Sequence, residues 1–166
     1  AGARTLMIRA GEQWAESAGG TSGALWGSGL TGFAGAALSD EVAATDADIV
    51  AGMVAFVDTV RQLGGAKPGD KTMVDALVPF AETLRAEFDR GEALSDAWVE
   101  AARASTAAAA ATADLVARRG RSRVLGDKSL GTPDPGATSF ALLMTVVGAS
   151  GLLICRGDNL DDGTDL

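Results

Sequence analysis

Three stretches of this chain gather residue types suited to holding an anion. In "GGTSGALWG", Gly19 to Gly27, glycines surround the Thr21 and Ser22 hydroxyls, and glycine lets backbone N–H groups approach a ligand closely. "GGAKPGDKTM", Gly64 to Met73, adds Lys67 and Lys71. "RGRSRVLGDKSLGTPDPGATS", Arg119 to Ser139, adds Arg121, Arg123 and Lys128 beside its own Arg119. Hydroxyls, amides and cations together suit phosphate oxygens. Each stretch also has a plain structural reading. Gly19 to Gly27 can be a tight interhelical turn, Gly64 a helix C-cap, Met73 a core side chain, and Asp134-Pro135 a helix start in any protein. Gly19 to Gly27 is neither a Walker A nor a dinucleotide fingerprint.

Composition narrows the chemistry further. The 166 residues contain no histidine and no tyrosine, which removes imidazole acid–base catalysis, Ser-His triads and histidine metal sites. A formal net charge of −8 argues against nucleic acid as a partner, because phosphate backbones attract clustered Lys and Arg. The lone Cys155 lies in an apolar run and can form no internal disulfide, so a reducing, cytoplasmic setting is expected. The length fits one domain. The chain opens on Ala1, already inside an amphipathic pattern, and is expected to be processed or truncated.

Positioning these stretches falls to helices, since apolar residues recur at helical spacing between glycine, proline and capping residues. The expectation is an all-α, antiparallel up-and-down barrel or bundle of six main helices. The first covers Ala1 to Ser17 and the second about Ala24 to Leu38. The third is opened by Thr45 with Asp48 in a capping-box spacing and ends at Gly64-Gly65. The fourth is capped by Asp70, runs to about Phe88 and bends at Pro79. The fifth and longest spans Leu94 to Arg119 through "STAAAAATA" and is closed by Gly120. The last starts with Asp134 at the N-cap and Pro135 at the first helical position and ends near Cys155. Residues 1–155 form the domain, and 156–166 are expected to be a disordered acidic tail. The uncharged stretch Pro135 to Cys155 approaches membrane-span length, but its Thr and Ser residues and mixed flanking charges favour a core helix, and no signal peptide is visible.

In an up-and-down bundle alternate connections fall at the same end. The connections after the first, third and fifth helices are the three glycine-containing stretches, whereas the other two, "LSDEVAAT" and "DRGEALS", are ordinary acidic turns. One end of the bundle therefore reads as the site.

In order and spacing, "GGTSGALWG", "GGAKPGDKTMVDALVP" and "RGRSRVLGDKSLGTPDPGATS" resemble the nucleotide-binding L subunit or L domain of the dihydroxyacetone kinase family. The pair "PGDKTM" and "DPGATS" is specific. The resemblance implies ADP or ATP bound at one end of a helical barrel by Thr21, Ser22, Gly64, Met73, Arg121, Asp134, Pro135 and Gly136. Met73 would face the adenine and Arg121 a phosphate. It implies phosphoryl transfer to a short hydroxyketone held by a histidine of a partner K subunit or domain. ATP would be turned over, or a retained ADP would be rephosphorylated by a phosphotransferase-system protein. The family's Mg²⁺ ligands form an aspartate-rich motif expected upstream of Ala1, so no catalytic or metal residue is assigned here and the chain alone is expected to lack turnover. The tail carboxylates Asp158, Asp161, Asp162 and Asp165 do not reproduce that motif's spacing. Alternative readings are an accessory ATP-binding domain of another kinase, such as a fatty-acid kinase, a non-catalytic helical binding module, and a membrane-anchored bundle.

Overall fold

The computed structural model describes residues 2–119 and 121–151, the side chains of Arg121, Ser122 and Leu125 excepted. Six α-helices carry the fold among these residues: α1 (Ala3–Ala18), α2 (Gly20–Ala37), α3 (Asp46–Gly64), α4 (Val74–Asp89), α5 (Leu94–Ala111) and α6 (Pro135–Ala149). Two short 3-10 segments, Thr112–Asp114 and Arg121–Ser129, lie in the α5–α6 connection. No strand occurs among the described residues, as the helical periodicity requires.

Neighbours in sequence pack side by side: α1 on α2, α2 on α3, and α4 on both α3 and α5, with α6 against α5 and α4. Aromatic rings close the arrangement. Phe140 of α6 lies 6.0 Å from Trp26 of α2, 6.3 Å from Phe56 of α3 and 5.5 Å from Phe80 of α4, ring centre to ring centre. Phe80 and Phe140 are fully buried with Leu77, Leu84 and Val60. Two polar side chains pin helices within this core. Trp98 Nε1 donates to the Met144 carbonyl at 2.8 Å, and Ser105 Oγ donates to the Ala76 carbonyl at 3.0 Å. Both donors are therefore satisfied in the interior, as burial demands.

The second helix begins at Gly20, four residues before the expected Ala24, so most of "GGTSGALWG" is helix. Only Gly19 and Gly20 turn the chain, both with φ of 61°. Beyond them, tertiary packing outweighs the helical penalty of glycine. A Cβ on Gly27 would stand 2.4 Å from the Gly11 carbonyl oxygen of α1, so the two backbones touch where side chains would hold them apart.

Three further boundaries depart from the sequence reading. Asp70 does not cap α4. Lys71 takes a left-handed φ of 59°, the chain turns again, and the helix starts at Val74. The fifth helix stops at Ala111 rather than Arg119, because Leu115 is extended and Thr112 is tied to the start of α6. The longest helix is therefore α3, at 19 residues. The helix α4 continues through Pro79 to Asp89. The Thr45–Asp48 capping box is present in both directions, and Gly65 ends α3 in the left-handed conformation. The last helix starts as expected and ends at Ala149, whereas Gly120, Cys155 and the acidic tail lie outside the described residues. Among the described residues, no helix is long and apolar enough to cross a membrane.

Candidate functional site

The connections after α1, α3 and α5 do share one end, and the structure joins the second and third by direct bonds. The Arg118 N–H donates to the Asp70 carbonyl, and Arg119 Nε pairs with Asp70 Oδ2, each at 3.1 Å. Gly136, in the first turn of α6, lies against Met73: a Cβ there would be 3.1 Å from the methionine Cβ. The α1–α2 connection joins more loosely. Leu25 of α2 sits over Gly64 at the end of α3, 3.2 Å from where its Cβ would be.

The first turn of α2 carries the exposed Thr21 and Ser22. No side chain caps this helix. Its first N–H groups lack intrahelical partners, and the helix dipole adds partial positive charge. Backbone donors and two hydroxyls thus converge where an anion would be stabilised. A Cβ on Gly19 or Gly20 would meet nothing within 4 Å, so these glycines serve backbone conformation and leave open space above the turn.

The other expected contact residues divide by burial. Gly64 and Gly136 are half-buried and Pro135 is exposed. Met73 is only 7 % exposed and belongs to the core, which gives it a packing role whatever ligand lies beside it. Arg121 opens the 3-10 segment, with its side chain outside the described residues. Asp134 is buried, and its Oδ2 accepts the Ala137 N–H at 2.8 Å as the N-cap of α6. Burial pushes its carboxyl above the usual range. The Ala137 and Gly136 amides and Lys71 act in the opposite direction, while the neighbouring Asp75 adds to the rise.

The cations are not equivalent. Lys67, Arg123 and Lys128 are exposed, and Arg119 is committed in part to Asp70. Lys71, which the spacing grouped with them, is 4 % exposed and points inward to the carbonyls of Leu115 and Ser129. Sequence reasoning also missed Asp75, whose carboxylate accepts the Gly69 N–H at 2.5 Å and the Thr72 N–H at 2.7 Å. The "TMVD" spacing, hydroxyl residue to carboxylate over three positions, is the signal that would have found it.

Among the described residues no cluster of three potential metal-ligating side chains occurs, and Asp70, Asp75 and Asp134 each accept backbone N–H groups. The open first turn of α2 and the cation-rich third connection present donors and positive charge of the kind phosphate oxygens take.

Residues 1–149 match the DAK2 domain family. The chain belongs to that family. It is 55 % identical over 150 residues to the L-erythrulose 1-kinase of Mycolicibacterium smegmatis, covering 89 % of this chain and 25 % of that protein. It is 40 % identical over 90 residues to the ADP-binding subunit DhaL of the PEP-dependent dihydroxyacetone kinase of Escherichia coli, covering 54 % of this chain and 43 % of that one. The triokinase/FMN cyclase of Rattus norvegicus is 36 % identical over 133 residues, covering 80 % of this chain and 22 % of the rat protein. The chain thus spans about a quarter of the length of the erythrulose kinase it matches.

Proposed function

We propose that this DAK2 domain is the nucleotide-binding part of a kinase that phosphorylates a short-chain hydroxyketone. The observation that carries the reading is the convergence at one end of the bundle. An uncapped α2 N-terminus with Thr21 and Ser22 shares that end with a cation-bearing connection bonded to the loop before α4. The first turn of α2 binds phosphate oxygens through its amides and hydroxyls. Arg121 adds a guanidinium, and Gly64, Met73 and the Asp134-Pro135-Gly136 turn wall the base. Phosphoryl transfer needs mainly such positioning and charge stabilisation. Mg²⁺, where bound, would supply charge neutralisation at the phosphates.

The acceptor sits on a partner. In the M. smegmatis relative three quarters of the protein lies beyond the matched part, whereas the E. coli relative is by name a subunit. We infer that a ketose-binding domain or subunit presents its hydroxyl to this end. The named ketose kinases among the relatives favour this reading over an accessory domain of a fatty-acid kinase.

Calorimetric titration with ADP tests the reading. A charge-assisted hydrogen bond to phosphate is worth about 1.5 to 3 kcal/mol, so Arg121→Ala should weaken ADP roughly ten- to a hundredfold. Arg123→Ala on the same connection is the control and should leave affinity unchanged. Absence of ADP binding by the unsubstituted protein, or equal losses from both substitutions, would defeat the assignment.

A further inference from the structure

We propose that Lys71 is a positioning residue whose ammonium clamps the neck of the cation-bearing connection between α5 and α6. Its two acceptors lie on opposite sides of that connection. Nζ donates to the Leu115 carbonyl at 3.0 Å on the incoming side and to the Ser129 carbonyl on the outgoing side. Between these points the chain carries Arg118, Arg119, Arg121, Arg123 and Lys128. One side chain thereby closes the base of the segment that holds them.

The surroundings reinforce the same closure. Ser129 Oγ accepts the Ala117 N–H at 3.0 Å and donates to the Gly126 carbonyl at 2.7 Å, so a second bond crosses the neck beside the first. Asp70, next in sequence to Lys71, holds Arg118 and Arg119 through its carbonyl and carboxylate. Residues 70 and 71 thus grip the connection together. Above the neck Arg123, Val124, Asp127 and Lys128 are exposed, with Val124 at 85 %.

Two features set Lys71 apart from an ordinary buried side chain. Among the described residues it is the sole non-glycine with positive φ, a conformation that Cβ disfavours. It is also an ammonium withdrawn from water and bonded to carbonyls, with no carboxylate paired to it among the described residues. Both features oppose stability. The αL turn aims the side chain across to the α5–α6 connection, while the next two residues, Thr72 and Met73, lead into α4. The same turn therefore fixes the wall of the proposed nucleotide site and the loop that carries its guanidinium. The clamp stands on these bonds alone, and its consequence for ligand affinity rests on the nucleotide reading above.

The test combines amide hydrogen exchange with ADP titration on the protein and on Lys71→Met, Lys71→Arg and Ser129→Ala. Methionine keeps the aliphatic stem and the backbone requirement but removes the ammonium. Lys71→Met should speed exchange at the Ala117, Arg118 and Gly131 amides by about tenfold or more while the amides of α3 and α5 keep their protection. ADP should weaken in parallel, and Lys71→Arg, which retains cationic donors, should recover part of both effects. Should Lys71→Met not fold, Ser129→Ala opens the neck more gently and should accelerate the Ala117 amide with the same locality. Unchanged exchange at the neck, acceleration spread evenly over all helices, or an opened neck with undiminished ADP affinity would each overturn the proposal. If the unsubstituted protein binds no ADP, the nucleotide reading fails, and the exchange pattern alone decides whether the clamp exists.

Discussion

Replacing Asp134 separates what its carboxylate does as a hydrogen-bond acceptor from what it does as a charge. The side chain is buried at the N-terminus of α6 and accepts the Ala137 N–H, while its own N–H donates to Thr112 Oγ1 at 2.7 Å. Asp134→Ala removes the cap and leaves a buried donor without a partner. Loss of an N-cap costs about 1 kcal/mol, with a range of roughly 0.5 to 2. For a chain of this size each kcal/mol moves the melting temperature by about 2 to 4 °C, so a fall of roughly 1 to 8 °C is expected at pH 7. Asp134→Asn keeps the acceptor and removes the charge. The folded-state pKa of Asp134 is raised, mainly by desolvation, so ionising it in the folded protein opposes stability. That cost is absent below the unfolded pKa of 3.8, grows as pH rises above it and is complete once pH has passed the folded value. Asp134→Asn should therefore melt at or above the unsubstituted protein at pH 7, and its advantage should shrink as the pH approaches 3.8. The assay is thermal unfolding followed by circular dichroism across this range. A melting temperature unmoved by Asp134→Ala would refute the capping argument. If Asn is as damaging as Ala at pH 7, attraction to Lys71 and the helix dipole outweighs burial.

Three further substitutions probe the packing that brings the site together. Gly27→Ala would press a Cβ to 2.4 Å from the Gly11 carbonyl oxygen and should cost about 1 to 3 kcal/mol in urea unfolding. Gly35→Ala in the same helix meets nothing within 4 Å and should gain roughly 0.5 to 1 kcal/mol, so equal shifts of the same sign would contradict the close α1–α2 contact. Trp98→Phe keeps a ring near Phe80 but loses the bond to the Met144 carbonyl, a loss of about 0.5 to 1.5 kcal/mol that the denaturant midpoint should register.

What the sequence made legible were features whose physics is local. The Thr45–Asp48 box, the Gly65 left-handed cap and the Asp134-Pro135 start each specify their own geometry within a few residues. Loop parity was legible as well, because it follows from helix count. The start of α2 was not, since glycine opposes helix locally and only the contact with Gly11 of α1 reverses that preference. Nor was the end of α5: the alanine run favours continued helix, while the Thr112–Asp134 bond and the extended Leu115 lie in the tertiary structure. Lys71 is the clearest case. Its spacing beside Lys67 reads as another free cation, and only the fold reveals that it reaches Leu115 and Ser129, 44 and 58 residues away.

These distinctions explain how an acidic chain can offer an anion site. Its net charge of −8 would repel phosphates at long range if spread evenly. At the proposed site, however, three carboxylates are engaged in the loops, while Asp127 stays exposed among the cations. Asp75 takes two amides of its own loop, Asp134 caps α6, and Asp70 shares itself between the Lys67 N–H and Arg119. Hydrogen bonds stabilise these charges in place without cancelling them, and Arg119 offsets one, that of Asp70, directly. Lys67, Arg123 and Lys128 remain exposed above them, facing the same end as the uncapped amides of α2. The local balance differs from the overall charge because cations cluster over residues 118–128 of the third connection, where Arg118, Arg119, Arg121, Arg123 and Lys128 stand against Asp127. Among the described residues these three carboxylates do not gather with further ligands into a metal-binding cluster, so their role here is to hold the loops.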